Sequence, residues 1–337
     1  TLMNTPNLGN RNRVITLQAT VEPLRDFRIE LSANQNYSSH QEYYYKYSNA
    51  SGYVEGPLSP MTRGSYTTTT WAFQTMFKDR DELFRQFVDS RTNIAMSLAD
   101  LNPDPYCDQM VRDTMNGLYY PAGYGANQQT VLLTAFLSTY MGKDSKSFSP
   151  FMKMPMPNWS INYNGLSKIE FLKKWFTNIS ISHKYSSTYS VGNFYTDAAI
   201  SAITEGYDYG TETITNNNGD YIAPVCMDGV ILSEQFSPLI MLSVNMVNSF
   251  NFILSIQKSR NLGLSFSNNQ LTETYRDGIT FGTGYRFKDL EFHIKAGDKT
   301  HHLKSDLVLQ ANITYNSNMT MIRKINQKTN QISSGSK

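Results

Sequence analysis

Apolar and polar side chains alternate along most of this chain with a period of two. Beginning at Val14, the residues Ile15, Leu17, Ala19 and Val21 fall on one side and Thr16, Gln18, Thr20 and Glu22 on the other, which is the pattern of a two-faced strand. Residues 23–26, with Pro23 and Asp26, make a short turn. Alternation then resumes with Phe27, Ile29, Leu31 and Ala33 against Arg28, Glu30, Ser32 and Asn34, so the two segments predict a hairpin. The same pattern returns at Trp159, Ile161, Tyr163; at Ile179, Ile181, His183, Tyr185; at Ile240, Leu242, Val244, Met246; and at Phe252, Leu254, Ile256. It closes with Ile279, Phe281, Tyr285, Phe287 and with Leu307, Leu309, Ala311, Ile313, Tyr315. The expectation is an all-β chain of about ten antiparallel strands.

One region departs from this rhythm. Asp79 and Glu82 form an Asp-x-x-Glu capping signal, followed at helical spacing by Phe84, Phe87, Val88, Ile94 and Leu98. A second helix is bracketed by Asn127 and Gly142, with Val131, Leu132, Ala135, Phe136 and Tyr140 along one stripe. Residues 77–156 therefore predict a helical insertion between strand regions 1–76 and 157–337. Phe84, Phe87, Phe136 and Tyr140 are its packing residues. The insertion is expected against the strand wall or inside whatever the wall encloses. If the turns at 23–26 and 248–251 lie at the same edge, the strands assigned between them are one too many or one too few.

The strands are unusually long, notably across 252–270 and 177–194, where about 5 or 6 residues is typical. Their polar faces carry mostly Ser, Thr, Asn and Gln, which suits a wetted barrel interior better than the Lys/Glu-rich exterior of a soluble sandwich. No run of about 18 apolar residues exists, because the best stretch, 238–247, is interrupted by Ser243 and Asn245; helical membrane spans are excluded. A barrel strand needs only about 9 to 11 residues of alternating polarity. The fold expected is an antiparallel transmembrane β-barrel segment with a helical insertion. Lys258 and Arg260 share a face with Phe252, Leu254 and Ile256, so they are expected at the headgroup level; a bulge turning them to the other face is the alternative. Tyr43, Tyr45 and Trp175 are further membrane-interface candidates.

Composition narrows the function classes. The chain of 337 residues has 30 basic and 28 acidic side chains, a net charge of +2, which supplies no field for nucleic acid. Its 13% aromatic content rules out disorder. Two cysteines, Cys107 and Cys226, allow one bridge or two free thiols and no zinc site of the usual spacing. His301-His302 on a strand would point to opposite faces, which disfavours a metal site. Gly282-Thr283-Gly284 inside a strand pattern marks a bulge or close backbone packing rather than a nucleotide loop. Nothing argues for catalysis, a cofactor or a metal.

Several stretches closely resemble the SprA/Sov family. They are Gly123-Tyr-Gly-Ala-Asn-Gln-Gln-Thr-Val-Leu-Leu-Thr-Ala-Phe-Leu-Ser-Thr-Tyr-Met-Gly-Lys-Asp144, Met156-Pro-Asn-Trp-Ser-Ile-Asn-Tyr-Asn-Gly-Leu-Ser-Lys-Ile169 and His183-Lys-Tyr-Ser-Ser-Thr-Tyr-Ser-Val-Gly192, with Lys258 to Ser267 and Asn318 to Ile325 further on. The likeness is dense from about residue 120 and looser from Pro23 to Arg91. It implies the outer-membrane translocon of the type IX secretion system of Bacteroidota, linked there to gliding motility and to export of cell-surface proteins. Such a translocon is a very large barrel that passes folded cargo and has a lateral opening. The implied partners are a PorV-type shuttle barrel at that opening, a plug protein on the periplasmic side, the secreted cargo and outer-membrane lipid. The resemblance implies that this sequence supplies a C-terminal part of the wall; the Ser-Gly-rich end and the absence of a leader-like start carry the same expectation. It brings no catalytic residue. A porin or receptor-type barrel and a soluble β-rich adhesin or carbohydrate-active protein are the alternative classes.

Overall fold

A single antiparallel sheet organises the molecule. The computed structural model describes residues 6–47, 54–201, 203, 207–296, 299–325 and 330–336. In chain order the elements are β1 (Asn7–Leu24), β2 (Phe27–Tyr47), β3 (Val54–Thr69), α1 (Phe73–Met76), α2 (Arg80–Ala99), β4 (Met110–Arg112), β5 (Tyr119–Pro121), α3 (Gln129–Met141), β6 (Asn158–Tyr163), α4 (Glu170–Lys173), β7 (Phe176–Tyr195), β8 (Cys226–Met227), β9 (Gly229–Met246), β10 (Phe250–Ser265), β11 (Gln270–Ala296), β12 (Lys299–Lys324) and β13 (Asn330–Ser336). Eleven strands form the sheet, in the order β1-β2-β3-β7-β9-β10-β11-β12-β13, with β6 between β2 and β7 and β8 beside β7; β4 and β5 pair separately. The all-β expectation holds, and no helix of the described residues is long and apolar enough to cross a membrane. Among the described residues β1 pairs with β2 alone and β13 with β12 alone, so the sheet has two open edges.

The strand count between the two short turns closes in an unexpected way. β2 pairs with β6 through Phe27–Ser32 and with β3 from Gln35 onward. β7 likewise meets β6 at Ile181–Tyr185 and β3 at Thr188–Tyr195. β3 and β6 therefore share one rank of the sheet, and everything from Thr70 to Pro157 leaves that rank and returns to it. Counted as one crossing, the pair puts the turns at 25–26 and 247–249 at the same edge. The sequence pattern missed β3 because its Ser, Thr and Gly residues carry no apolar alternation.

The excursion forms a layer on the sheet. Asp79 caps α2, its carboxylate accepting from Glu82 N at 2.8 Å. Leu83, Phe84, Phe87, Ile94 and Leu98 are buried beneath it. α3 begins one residue later than its bracket suggests, because Gln128 rather than Asn127 supplies the cap, accepting from Val131 N at 2.9 Å. Gly142 ends it in the left-handed conformation at φ 64°, where a side chain would be strained. The predicted stripe of α3 is buried, but so are Thr130, Leu133, Thr134 and Leu137, making α3 a central helix covered all round. Part of that cover is the 196–225 segment between β7 and β8. There Gln129 Nε2 donates to Val225 O at 2.7 Å, and Gln128 Nε2 to Tyr221 O at 3.0 Å. The layer thus draws on two separate stretches of sequence.

Candidate functional site

The feature that sets this molecule apart is how the two faces of its sheet differ. Cross-strand register assigns every residue to a face, since directly paired residues point the same way. One face carries Thr16, Gln18 and Thr20 of β1, Ser160 and Asn162 of β6, Ser180 and Ser182 of β7, Ser243 and Asn245 of β9, Ser255 and Gln257 of β10, Thr280 of β11, and Asn312, Thr314 and Asn316 of β12. Hydroxyl and amide pairs knit it: Ser182 Oγ donates to Asn162 Oδ1 at 2.7 Å, and Thr280 and Thr314 hydroxyls lie 3.1 Å apart. Leu8, Val14, Met61, Ile231, Met241, Ile253 and Val308 are among its apolar exceptions. Gly282 sits where a Cβ would lie 2.3 Å from Asn312 Oδ1, and β10–β11 register is unbroken there, so the Gly-x-Gly marks close packing and not a bulge.

The opposite face divides by height. Its lower part bears Ile15, Leu17, Ala19 and Val21 (β1), Ile29 and Leu31 (β2), Ile161 and Tyr163 (β6), Ile240, Leu242 and Val244 (β9), Phe252, Leu254 and Ile256 (β10), Ile279, Phe281 and Tyr285 (β11) and Leu307 to Tyr315 at alternate positions (β12). Much of this belt is bare: Ile313 is 73% exposed, Ile240 52% and Phe281 47%. Along β12 it runs nine residues, about 26 Å at roughly 3.3 Å per residue. An apolar surface continuous over so many strands far exceeds the few hundred Å² that soluble monomers leave uncovered.

The upper part of the same face is roofed by the α1–α3 layer, and the contact is built on ions. Arg260 of β10 donates from Nε to Glu234 Oε2 of β9 at 2.9 Å and from Nη2 to Thr75 Oγ1 of α1 at 2.9 Å. Tyr185 OH donates to the other Glu234 oxygen at 2.8 Å and accepts from Ala72 N at 3.0 Å. Further along, Arg323 of β12 donates to Asp81 of α2 at 2.8 Å and faces Glu273 of β11 at 3.2 Å, with Phe84 beneath its guanidinium. Tyr140 of α3 and Tyr275 of β11 donate to the two Glu273 oxygens at 3.4 and 3.2 Å. Arg260 and Arg323 are fully buried, and a carboxylate meets each guanidinium closely enough to offset the cost of burying a cation. Phe87, Phe136 and Tyr140 stack above them, with ring centroids 5.2 and 6.2 Å apart, and Phe84 joins the cluster.

A second clamp fastens the 196–225 segment to the layer. Tyr124 OH donates to Glu212 Oε2 at 2.6 Å, Gly210 N to the same oxygen at 2.7 Å, and Asn102 Nδ2 to Tyr124 OH and Glu212 O at 2.8 Å each. Among the described residues the buried Glu212 Oε1 has no hydrogen-bond partner. Burial raises the Glu212 carboxyl above the usual carboxylate range, partly offset by the Tyr124 and backbone donors. The neighbouring turn brings Tyr221 N to Gly123 O at 2.7 Å; Gly123 has φ +83°, and a Cβ there would strike the Tyr221 ring.

Of the expected interface residues, Trp175 is 61% exposed at the lower edge, where Val247 N donates to its carbonyl. Lys258 sits at the upper rim of the belt, paired with Asp277 at 2.9 Å and facing the Phe77 ring. Arg260, one step higher, corrects the expectation: the layer covers it and it reaches no headgroup zone. The rotated-bulge alternative also fails, since the irregularity lies in β9 opposite Ile256 and Lys258, while β10 runs straight against β11. Tyr43 and Tyr45 pack edge to face near the top of β2, ten or more residues beyond Ala33, about 33 Å above the belt. Both cysteines are free and buried. Among the described residues no cluster of His, Cys, Asp and Glu could hold a metal; the side chains of His301 and His302 lie outside those described. The ionic underside of the layer was not foreseen. Its only signal was charges at face positions that the alternation reserves for apolar residues. No protein-family model and no curated protein matches this chain.

Proposed function

We propose that this chain forms part of the wall of a large outer-membrane β-barrel that conducts protein, the reading implied by its resemblance to the SprA/Sov translocons of type IX secretion. The observation that carries it is the bare apolar belt, of about the height of a lipid-facing band, set back to back with a predominantly polar face. Placed in lipid, the belt loses no water-exposure penalty, whereas in water each large apolar side chain would forgo about 1.5–3 kcal/mol of burial. The open edges at β1 and β13 favour continuation into further strands, since an unpaired strand edge is not tolerated in lipid.

The position of the layer bears on mechanism. It stands on the belt's own side of the wall and above it, so in this reading it is outside the lumen, and the polar face stays clear for cargo. Ser, Thr, Asn and Gln remain hydrated and offer no apolar patch, so a passing folded protein is held weakly. No chemistry is asked of the wall. A PorV-type shuttle barrel, a plug protein and folded cargo are the partners this reading assigns.

Single-cysteine scanning of the membrane-embedded protein tests it, since the two native cysteines are buried. Cysteines at Phe281 and Ile313 should resist a water-soluble maleimide and react with a lipid-soluble one; cysteines at Thr280 and Asn312 should do the reverse. Co-purification of a PorV-type barrel and a plug protein from detergent-solubilised outer membranes is the companion result. Release without detergent, with all four positions open to the soluble reagent, would sink the barrel and favour a soluble β-rich protein.

A further inference from the structure

Between the layer and the β1–β3 side of the sheet lies a cavity of about 1120 Å³. Arg13 of β1, Lys78, Lys143 and Lys153 line it, and no Asp or Glu does. None of these four cations makes an ion pair among the described residues. Elsewhere under the layer the buried arginines of the sheet, Arg260 and Arg323, are met by Glu234, Glu273 and Asp81, and Arg80 of α2 lies singly over the Tyr275 ring. An uncompensated group of four like charges around one cavity is the exception.

The Ser147 hydroxyl adds a donor, while Met154 and Met156 and the half-exposed Trp71 supply an apolar side. The cavity also opens at a defined height. Arg13 is the next same-face residue above Ile15, Leu17 and Ala19, and Trp71 packs edge to face on Trp159, which heads the apolar run Trp159, Ile161, Tyr163. Cations above and apolar side chains below reproduce the polarity of an anionic amphiphile.

We propose that this cavity binds a phosphate-headed lipid, its headgroup among Arg13, Lys78, Lys143 and Lys153 and its chains leaving past Trp71 and Trp159 onto the belt. Charge complementarity selects the headgroup: four cations without a carboxylate favour a net anion over a zwitterion, whose own cation they repel. Continuity with the belt selects a lipid over a free anion, which would leave Trp71, Met154 and Met156 without a role. Lys143 fits this assignment independently, since burial pushes its ammonium down to about 8 and its one hydrogen-bond acceptor is Ser149 O at 2.7 Å. An anion beside it would raise that value again by favouring the charged form. The bound lipid would brace the layer against the wall at a junction where, among the described residues, no ion pair holds the two together. The inference draws its lipid source from the membrane reading above.

The test uses the purified chain with short-chain phosphatidylglycerol, short-chain phosphatidylcholine and inorganic phosphate, followed by native mass spectrometry and by quenching of Trp71 fluorescence with brominated chains in a Trp159→Phe, Trp175→Phe background. Phosphatidylglycerol is expected to bind about tenfold or more tighter than phosphatidylcholine, and to lose about tenfold in Lys143→Gln/Lys153→Gln. Lys78→Gln/Lys153→Gln, which removes no hydrogen bond seen in the fold, should weaken binding in the same direction. Arg286→Gln, in the distant pair with Asp306, should leave it unchanged. Equal affinity for the two lipids, indifference to both double variants, or phosphate binding as tightly as phosphatidylglycerol would each overturn the proposal. The two readings separate cleanly: a protein released without detergent that still selects phosphatidylglycerol through Lys143 overturns the barrel alone, and a membrane-embedded protein without that selectivity overturns the lipid site alone.

Discussion

β10 carries two halves of one face that meet opposite fates. Its lower residues Phe252 and Leu254 stand exposed and Ile256 half-exposed, while Lys258, Arg260, Leu262 and Leu264, continuing the same alternation, pass beneath the helical layer until Arg260 and Leu262 are fully buried. The bare half is uniformly apolar and the covered half mixes leucines with paired charges. A burial pattern read as hydrophobicity alone would assign them the other way round. The difference teaches that a surface meeting another protein layer can hold charge, provided each charge has a placed partner, whereas the uncovered half holds none; under the proposed wall reading that half faces a uniform low-dielectric medium.

The largest effects expected from this contrast lie in the covered half. Arg260→Ala strands Glu234 without its cation, and breaking such a buried pair costs about 3–5 kcal/mol. Thermal unfolding in detergent should show that loss, and Arg260→Met with Glu234→Leu should recover most of it. Failure of the double variant to recover would mean that Thr75 and Tyr185, not the ion pair, hold the layer down. Phe136→Ala, in the core of the layer, is expected to cost about 3–5 kcal/mol, while Phe281→Ala in the bare belt should cost well under half as much in detergent. Equal losses would erase the distinction between the halves.

Somewhat smaller effects come from charging the belt. In a bilayer Leu254→Lys should destabilise by about 2–4 kcal/mol, and Ile256→Lys, next to the rim at Lys258, by about 0–1 kcal/mol. Thr280→Lys on the polar face should be near neutral. Reversible unfolding from liposomes reads all three, and a flat profile with depth would contradict a lipid-facing belt.

The smallest effect is a pH dependence confined to the clamp of the layer. The Glu212 carboxyl is raised in the fold, so the native state binds more protons than the unfolded chain above the ordinary carboxylate pKa. Its contribution to stability is therefore complete below about pH 4.5 and is lost as pH rises through the native value. The protection of residues 207–223 against hydrogen exchange, taken relative to the intrinsic rate at each pH, should fall across that range in the wild type and stay level in Glu212→Gln. Loss of protection as pH falls would reverse the assignment.

Much of the architecture was legible because a period of two has one physical meaning: opposite faces in different surroundings. Ile179 to Tyr185, Phe252 to Ile256 and Leu307 to Tyr315 all stand where the alternation put them. The caps Asp79 and Gly142 likewise announced their helices through local hydrogen bonding and backbone geometry. β3 was not legible, since Gly64, Ser65 and Thr67 to Thr69 extend only because β2 and β7 offer ladder partners on both sides. The pairing of Arg260 with Glu234, 26 residues apart, is also invisible locally, and so is that of Arg323 with Asp81.

By itself, then, the sequence determined an all-β chain with one apolar and one polar face and two capped helices, because those properties depend on residues within a few positions of one another. Tertiary structure alone decided that β3 and β6 share a rank, that 196–225 joins the helical layer, and which half of the apolar-side face is roofed. Those outcomes rest on contacts between residues tens to hundreds of positions apart, where loop closure and register, not local preference, choose the partner.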